Sequence, residues 1–432
     1  MKYKNSGVEW IGAVPAHWES LQIRRLTPVK RGASPRPIDD QKYFDENGEF
    51  CWVRIADVSA SERYLEKTTQ TLSELGASLS VKRYPGDFFL SIAGTVGKPI
   101  ITKIKCCIHD GFVWFPNLKI NPEYLYYIFS TGLPYQGLGK WGTQLNLNTD
   151  TVAEINIPIP LNGEIDIILK YLDHKTTKID SLIEKKKWLI ELLKEERTAV
   201  INQAVSKGLD PNVPMKDSGI EWLGEIPEHW EVKKLKHITS KITDGEHISP
   251  NFQSEGMPFL SAKDVRERTL NFDGKKFISI DDGLKFRKRC DPVRGDVLLV
   301  SRGATIGRIG LVETDDTFCL LGSVILLKPL ERGSPLLLYY VLNNSRIQEQ
   351  LLLTSQSSAQ QAIYLVGVSE LLITIPPANE QPLIIKHIEK ETSRIDSIIS
   401  KSEKEIELLQ EYRTALISEV VTGKIDVREE KI

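Results

Sequence analysis

The chain has 432 residues, 41% hydrophobic and 26% charged, with a net charge of −2 and a pI near 6.4. That length and balance give two or more domains with full cores, excluding wholesale disorder and showing no global attraction to nucleic acid. No apolar run approaches the roughly 18 residues of a membrane span, and MKYKNSGVEW lacks the apolar core of a signal peptide. Five cysteines (Cys51, Cys106, Cys107, Cys290, Cys319) form no CxxC pair, which argues against a disulfide framework and a structural zinc site. The expected compartment is a bacterial-type cytoplasm.

The first element is a Trp motif, SGVEWIGAVPAHWE, at 6–19. A stretch from about 27 to 160 follows, in which short apolar runs such as DFFLSIAG and CIHDGFVWF are bounded by Gly, Pro and Asp. This punctuation predicts many short strands in a mixed α/β domain. From Glu164 to Ser206 there is no proline or glycine, and Gly208 stands just beyond, so one long helix is expected.

The chain then starts again. SGIEWLGEIPEHWE at 218–231 repeats the Trp motif, matching Trp10, His17 and Trp18 with Trp222, His229 and Trp230. A second strand-rich stretch, 239–376, carries DVLLVSRG and echoes of the first: IADV (55–58) against AKDV (262–265), GTVGK (94–98) against ATIGR (304–308), LYYIF (125–129) against LYYVL (338–342). A second helix is expected from Glu380 to Thr422, with Pro382 in its first turn and Gly423 after it. TTKIDSLI…RTAVI from 176 returns as TSRIDSII…RTALI from 392, so a whole unit is duplicated.

Both helices carry apolar residues at alternating spacings of four and three. In the first the seam is Ile179, Ile183, Lys186, Ile190, Leu193, Arg197, Val200 and Ala204. In the second it is Ile395, Ile399, Ser402, Ile406, Leu409, Arg413, Leu416 and Val420. The polar members occupy the third and sixth places of both series, so antiparallel pairing that layers them together is the expectation. The fold class is α+β: two similar mixed α/β domains and two long helices forming an antiparallel coiled coil with pseudo-two-fold character. The boundaries are 1–160, 161–210, 211–376 and 377–432.

No catalytic constellation emerges. GLGKWG (137–142) fits GxGxxG but follows no buried strand, and GTVGK lacks the layout of a phosphate loop. IPPA (375–378) and NPEY (121–124) lack the amide or carboxylate that an aminomethyltransferase box needs. Asp180, Glu184 and Lys186 lie along a charged helix and read as a solvated face rather than a nuclease centre. The seven histidines show no metal spacing; His17 and His229, at matched places, read as packed structural residues. The chain reads as a recogniser.

The two Trp motifs, the approaches NIPIPLNGE and TIPPANEQ, and the helices IDSLI…LLKEERTAVI and IDSII…LLQEYRTALI together resemble the specificity subunit of type I restriction–modification systems. The resemblance spans essentially the whole chain. It implies two target recognition domains, each reading one half of a split, asymmetric DNA site, with the helices as spacers. It also implies methyltransferase subunits, two of them, docked around the helices, and restriction subunits that complete an ATP-dependent nuclease. No cofactor is expected on this chain; S-adenosylmethionine, ATP and Mg2+ belong to the partner subunits. The Trp motif is expected to clasp a recognition domain to the spacer.

Phosphate contact calls for Lys and Arg on loops, and base-edge reading for Arg, Asn and Gln. The candidates are Arg36, Arg54, Lys98, Lys103, Gln144 and Asn146 in the first domain. In the second they are Arg266, Arg268, Lys275, Arg302, Arg308 and Gln356. The GTVGK and ATIGR turns serve equally well as strand connections. Three other readings stay open: an enzyme carrying its own specificity, an assembly adaptor without DNA specificity, and a recognition subunit of a methyltransferase-only system.

Overall fold

The computed structural model describes residues 2–138, 147–161, 163–248, 250–330, 334–353 and 361–430. Two compact units divide the chain: residues 1–186 with 403–432, and residues 187–402. The division falls inside both long helices, α1 (Glu164–Lys207) and α2 (Gln381–Val421). At about 1.5 Å per residue, their 44 and 41 residues give lengths of roughly 66 and 62 Å.

In the first unit a five-stranded sheet runs Lys30–Arg31, Phe112–Trp114, Phe88–Ser91, Pro99–Thr102, Tyr64–Leu65, antiparallel except for its last pair. A four-stranded sheet, Gln70–Leu72, Phe50–Val53, Cys106–Ile108, Val81–Arg83, has one parallel pair at its centre. Phe88–Ser91 and Pro99–Thr102 are wholly buried apolar runs, as central strands covered on both faces must be.

The second unit repeats the order. Thr239–Asp244, Val324–Pro329, Val297–Val300 and Ile309–Leu311 form the antiparallel sheet. Lys276–Ile278, Met257–Leu260 and Cys319–Leu320 form the smaller one, again with one parallel pair, here between its middle strand and Cys319–Leu320. The LYY echoes are short helices, Pro122–Ser130 and Pro335–Leu342, each begun by a polar cap, Asn121 or Ser334, followed by proline. The faint echoes therefore mark one fold used twice.

Each domain is closed at its root. Glu19–Gln22 pairs antiparallel with Asn156–Ile159, and Glu231–Lys234 with Leu372–Ile375. That pairing brings the Trp motif back to the first turn of the helix. Trp18 Nε1 donates to Glu164 Oε2 at 2.7 Å, and His17 Nε2 lies 3.0 Å from Glu164 Oε1. In the other unit Trp230 Nε1 donates to Glu380 Oε2 at 3.1 Å, with His229 Nε2 2.6 Å from Oε1. Both indoles are buried in their unit's core, so each N–H needs an acceptor there and finds it on a glutamate. Burial pushes the Glu164 carboxyl up, but hydrogen bonds from His17, the Leu161 N–H and Trp18 outweigh it and hold the group below its usual range.

Along the seam Ile179, Ile183, Ile190, Leu193 and Ile395 are buried, while Ile399, Ile406 and Leu409 are half-buried. The chain direction is antiparallel in each unit. In the first, Lys186 pairs with Glu405 and Asp180 with Arg413; in the second, Glu196 pairs with Arg394 and Arg197 with Asp396. The expected layering of polar positions is corrected. Arg413 and Arg197 reach carboxylates beside the apolar seam residues Ile179 and Ile395. Layering Lys186 with Arg413 would have set like charges face to face. Long stems let the heads leave the seam for a counter-ion instead.

Candidate nucleic-acid interface

The turns that vary between the domains sit on a shared frame. In the first domain Gly32 N–H donates to Phe112 O at 2.9 Å, Ile92 N–H to Gly111 O at 2.8 Å, and Gly97 N–H to Ser91 O at 2.8 Å. The second domain repeats all three: Gly245 to Val324 O at 3.1 Å, Ser301 to Ser323 O at 2.9 Å, Gly307 to Val300 O at 2.8 Å. A side chain at Gly32 would place its Cβ 2.1 Å from His109 O, and at Gly245, 2.2 Å from Leu320 O. Only glycine permits that backbone approach.

On this frame the charges differ in sign. KRGASPR (30–36) brings Lys30, Arg31 and Arg36 to the first cluster. Arg36 Nη2 lies 3.2 Å from Asp110 Oδ2, its side chain still 73% exposed, and Ser34 Oγ donates to Asp110 Oδ1 at 3.1 Å. Burial raises the Asp110 carboxyl, but Ser34 and the Arg36 charge prevail and hold it below its ordinary range. His109 beside it is pushed below its ordinary value by burial. Arg54 begins the helix Ile55–Ala60, and Ile55 packs against the Gly94 turn, so Arg54 adjoins the same cluster, exposed.

In the second domain the matching loop, TDGEH (243–247), is acidic. His247 Nε2 is 2.8 Å from Asp244 Oδ2, and Arg289 pairs with the other oxygen. A cleft of about 230 Å³ opens here, lined by Asp244, Arg302 and Gly322 together with Ile363, Tyr364 and Val366. Arg302 is exposed, its backbone bridged to Ala362. An arginine beside a half-exposed tyrosine can address a base edge and a base face together.

Other candidates are anchored elsewhere. Lys98 Nζ donates to Ser59 O at 3.0 Å, and burial lowers its pKa. Arg308 Nη1 donates to Val265 O at 3.1 Å. These two, at matched places, pin the GTVGK and ATIGR turns to the IADV and AKDV segments. Arg268 Nη2 is bound to Glu389 Oε1 of α2 at 3.0 Å, the part that Arg63 plays with Asp173 of α1 at 2.6 Å. Lys103 lies 4.0 Å over the Tyr64 ring, and Lys275 lies over Phe272 and Phe277. Arg266 is exposed on the loop that caps Val265. Gln144, Asn146 and Gln356 lie outside the described residues.

The candidates that gather at the loop clusters are therefore Arg36, Arg54 and Arg302. Sequence reasoning missed Arg31, Asp244, His247 and Tyr364 there, and Glu164 and Glu380 at the clasps. The glutamates had a signal: they stand at matched places in the two repeats, Glu164 as the first residue of α1 and Glu380 immediately before α2.

Comparison with known proteins places this geometry among relatives. The model of the "Type I restriction modification DNA specificity domain" matches residues 15–192 and again 227–408. The specificity subunit of type I restriction enzyme MjaVIII from Methanocaldococcus jannaschii is 24% identical over 96% of this chain and 94% of its own. That of EcoKI from Escherichia coli strain K12 is 22% identical over 96% and 90%. Among solved structures, one from work on complex assembly and conformational transition of the type I R-M system superposes with a TM-score of 0.73 at 16% identity, covering 95% of this chain and 99% of that one. The HsdS subunit from Thermoanaerobacter tengcongensis gives 0.52 at 15% identity, over 95% and 98%.

Proposed function

Because the chain belongs to the family of type I restriction–modification DNA specificity subunits, we propose that each of its recognition domains reads one half of an asymmetric, bipartite DNA site. The observation that carries this reading is the pair of matched loop frames with unlike side chains. One frame, held by the same glycine contacts, presents Arg31 and Arg36 in one domain and Asp244, His247 and Arg302 in the other. Donor-rich loops suit guanine N7 and O6, whereas the second loop offers Arg302 beside Tyr364 with Asp244 already held by His247 and Arg289, so the half-sites should differ.

Arg36, Arg54 and Arg302 are assigned to base edges or adjacent phosphates, with Lys103, Arg266 and Lys275 nearer the phosphate backbone. Lys98, Arg268 and Arg308 act chiefly within the protein. Methyltransferase subunits dock along α1 and α2, and restriction subunits join them. S-adenosylmethionine, ATP and Mg2+ serve those partners, and the chemistry is theirs.

The test is a methylation map of cells carrying this chain with its neighbouring methyltransferase, against cells lacking the chain. A new split motif, with one methylated adenine in each half on opposite strands, is expected. No new motif from a complex verified as assembled would overturn the reading.

A further inference from the structure

The two clasps are built alike but finished differently. After the matched glycines, both at left-handed φ (Gly423 at 70° and Gly208 at 74°), the chain continues as Lys-Ile-Asp-Val-Arg in one unit and Leu-Asp-Pro-Asn-Val in the other. In the first unit this tail covers the clasp. Val427 is 3% exposed within the core cluster of Trp18, and Arg428 Nη1 lies 3.6 Å from Glu164 Oε1. The space left there is about 10 Å³, and the Glu164 side chain is only 13% exposed.

In the second unit Pro211 and Asn212 turn the chain aside. A cleft of about 260 Å³ remains, floored by Pro227, His229 and Glu380 and walled by Leu209, Leu383 and Ile384. Glu380 is 30% exposed, and among the described residues no lysine or arginine pairs with it. Leu383 stands 59% exposed at the rim. Lys207 and Asp210 also line the cleft, but neither is paired with Glu380. An apolar wall beside a carboxylate that no guanidinium covers is the negative of what the tail supplies in the first unit.

We infer that this cleft is a docking site for a segment of a partner protein that presents an aliphatic side chain followed by an arginine. The aliphatic group covers Leu383 and Ile384, and the guanidinium takes on Glu380 the place that Arg428 holds on Glu164. A charge-assisted pair with an apolar anchor gives such a short segment both orientation and selectivity. The inference does not depend on how DNA is read.

The probe is a fluorescent peptide of this chain's own covering sequence, Gly-Lys-Ile-Asp-Val-Arg-Glu-Glu, titrated against the full-length protein by anisotropy. Saturable one-to-one binding is expected. It should weaken about tenfold or more, roughly 1.4 kcal/mol, when the peptide's Arg becomes Ala or its Val becomes Asp, and likewise in Leu383→Asp. Leu383 is exposed, so that variant keeps its fold, checked by circular dichroism. Glu380→Gln keeps acceptors for Trp230 and His229 and should weaken binding by a similar factor. No binding at about 1 mM peptide, or binding indifferent to all these changes, overturns the proposal. So does self-association of the chain that Leu383→Asp abolishes, since the occupant would then be a second copy.

Discussion

Arg413 grips Asp180 with two hydrogen bonds, Nε to Oδ1 at 2.7 Å and Nη2 to Oδ2 at 3.1 Å. The duplication carries Asp180 onto Asp396 and Arg413 onto Arg197, and Arg197 binds Asp396 through Nε at 3.0 Å. One contact thus recurs with its partners exchanged between repeats, as antiparallel pairing of two like helices requires. The side chains at the first pair are 28% and 49% exposed, so solvent tempers its strength. A double-mutant cycle with Asp180→Ala and Arg413→Ala should give a coupling of about 0.5–1 kcal/mol in chemical denaturation, falling with salt. A coupling of zero would mean the pair is incidental to register.

Trp18→Phe keeps an aromatic body but removes the N–H that Glu164 accepts. The variant should lose about 1–3 kcal/mol, because the indole is buried and the carboxylate is left short of a donor. The equivalent change at Trp230 should cost a similar amount. Urea denaturation of each variant checks this.

The clasp also sets a pH dependence. Glu164 has a folded pKa below its unfolded one, so the unfolded state binds more protons across that interval. Its contribution is fully present above the unfolded value and is lost as pH falls through the folded value. Glu164→Gln should flatten the acid limb of the stability curve without altering the limb above neutrality. Thermal melts from pH 3 to 8 would show an unchanged acid limb if the carboxylate contributes nothing.

Gly32→Ala drives a methyl into the His109 carbonyl, and no side chain can move to relieve it. Reading of the first half-site should fail while the second half is still recognised. The same change at Gly245, against Leu320 O, should have the converse effect. Binding to a panel of sites mutated in one half at a time separates these outcomes.

Arg302→Ala should cost about 1–3 kcal/mol and relax one position of the second half-site if the guanidinium addresses a base edge. Lys103→Ala, by contrast, should weaken binding uniformly across sequences and lessen its salt dependence, the mark of a phosphate contact. Uniform weakening by Arg302→Ala would reassign it to the backbone.

The long helices, their seam and the duplication could be read from sequence because each depends on local spacing. Glycine-free runs, four–three alternation and repeated tryptophans carry their own evidence. The cations could not be sorted in the same way. Lys98 is held by Ser59, Arg308 by Val265 and Arg268 by Glu389, partners 39 to 121 residues away whose approach only the fold creates. A lysine bonded to carbonyls and a lysine free for a phosphate look the same in a string of letters. The layering of polar seam positions failed for a related reason. Spacing fixed where Lys186 and Arg413 emerge, but not the direction in which a long side chain leaves the seam.

The division of each long helix between the two units has a consequence for the order of folding during synthesis. The unit formed by residues 187–402 is one unbroken segment and can close as soon as it has left the ribosome. The other cannot. Its core needs Leu416, Ile417, Val420 and Val427 to join residues made some 400 positions earlier, such as Ile11 and Trp18. Until then that core lacks these side chains, and closure over so long a separation is slow. The later-made unit should therefore mature first, and the first-made domain should be the one that nascent-chain helpers shield.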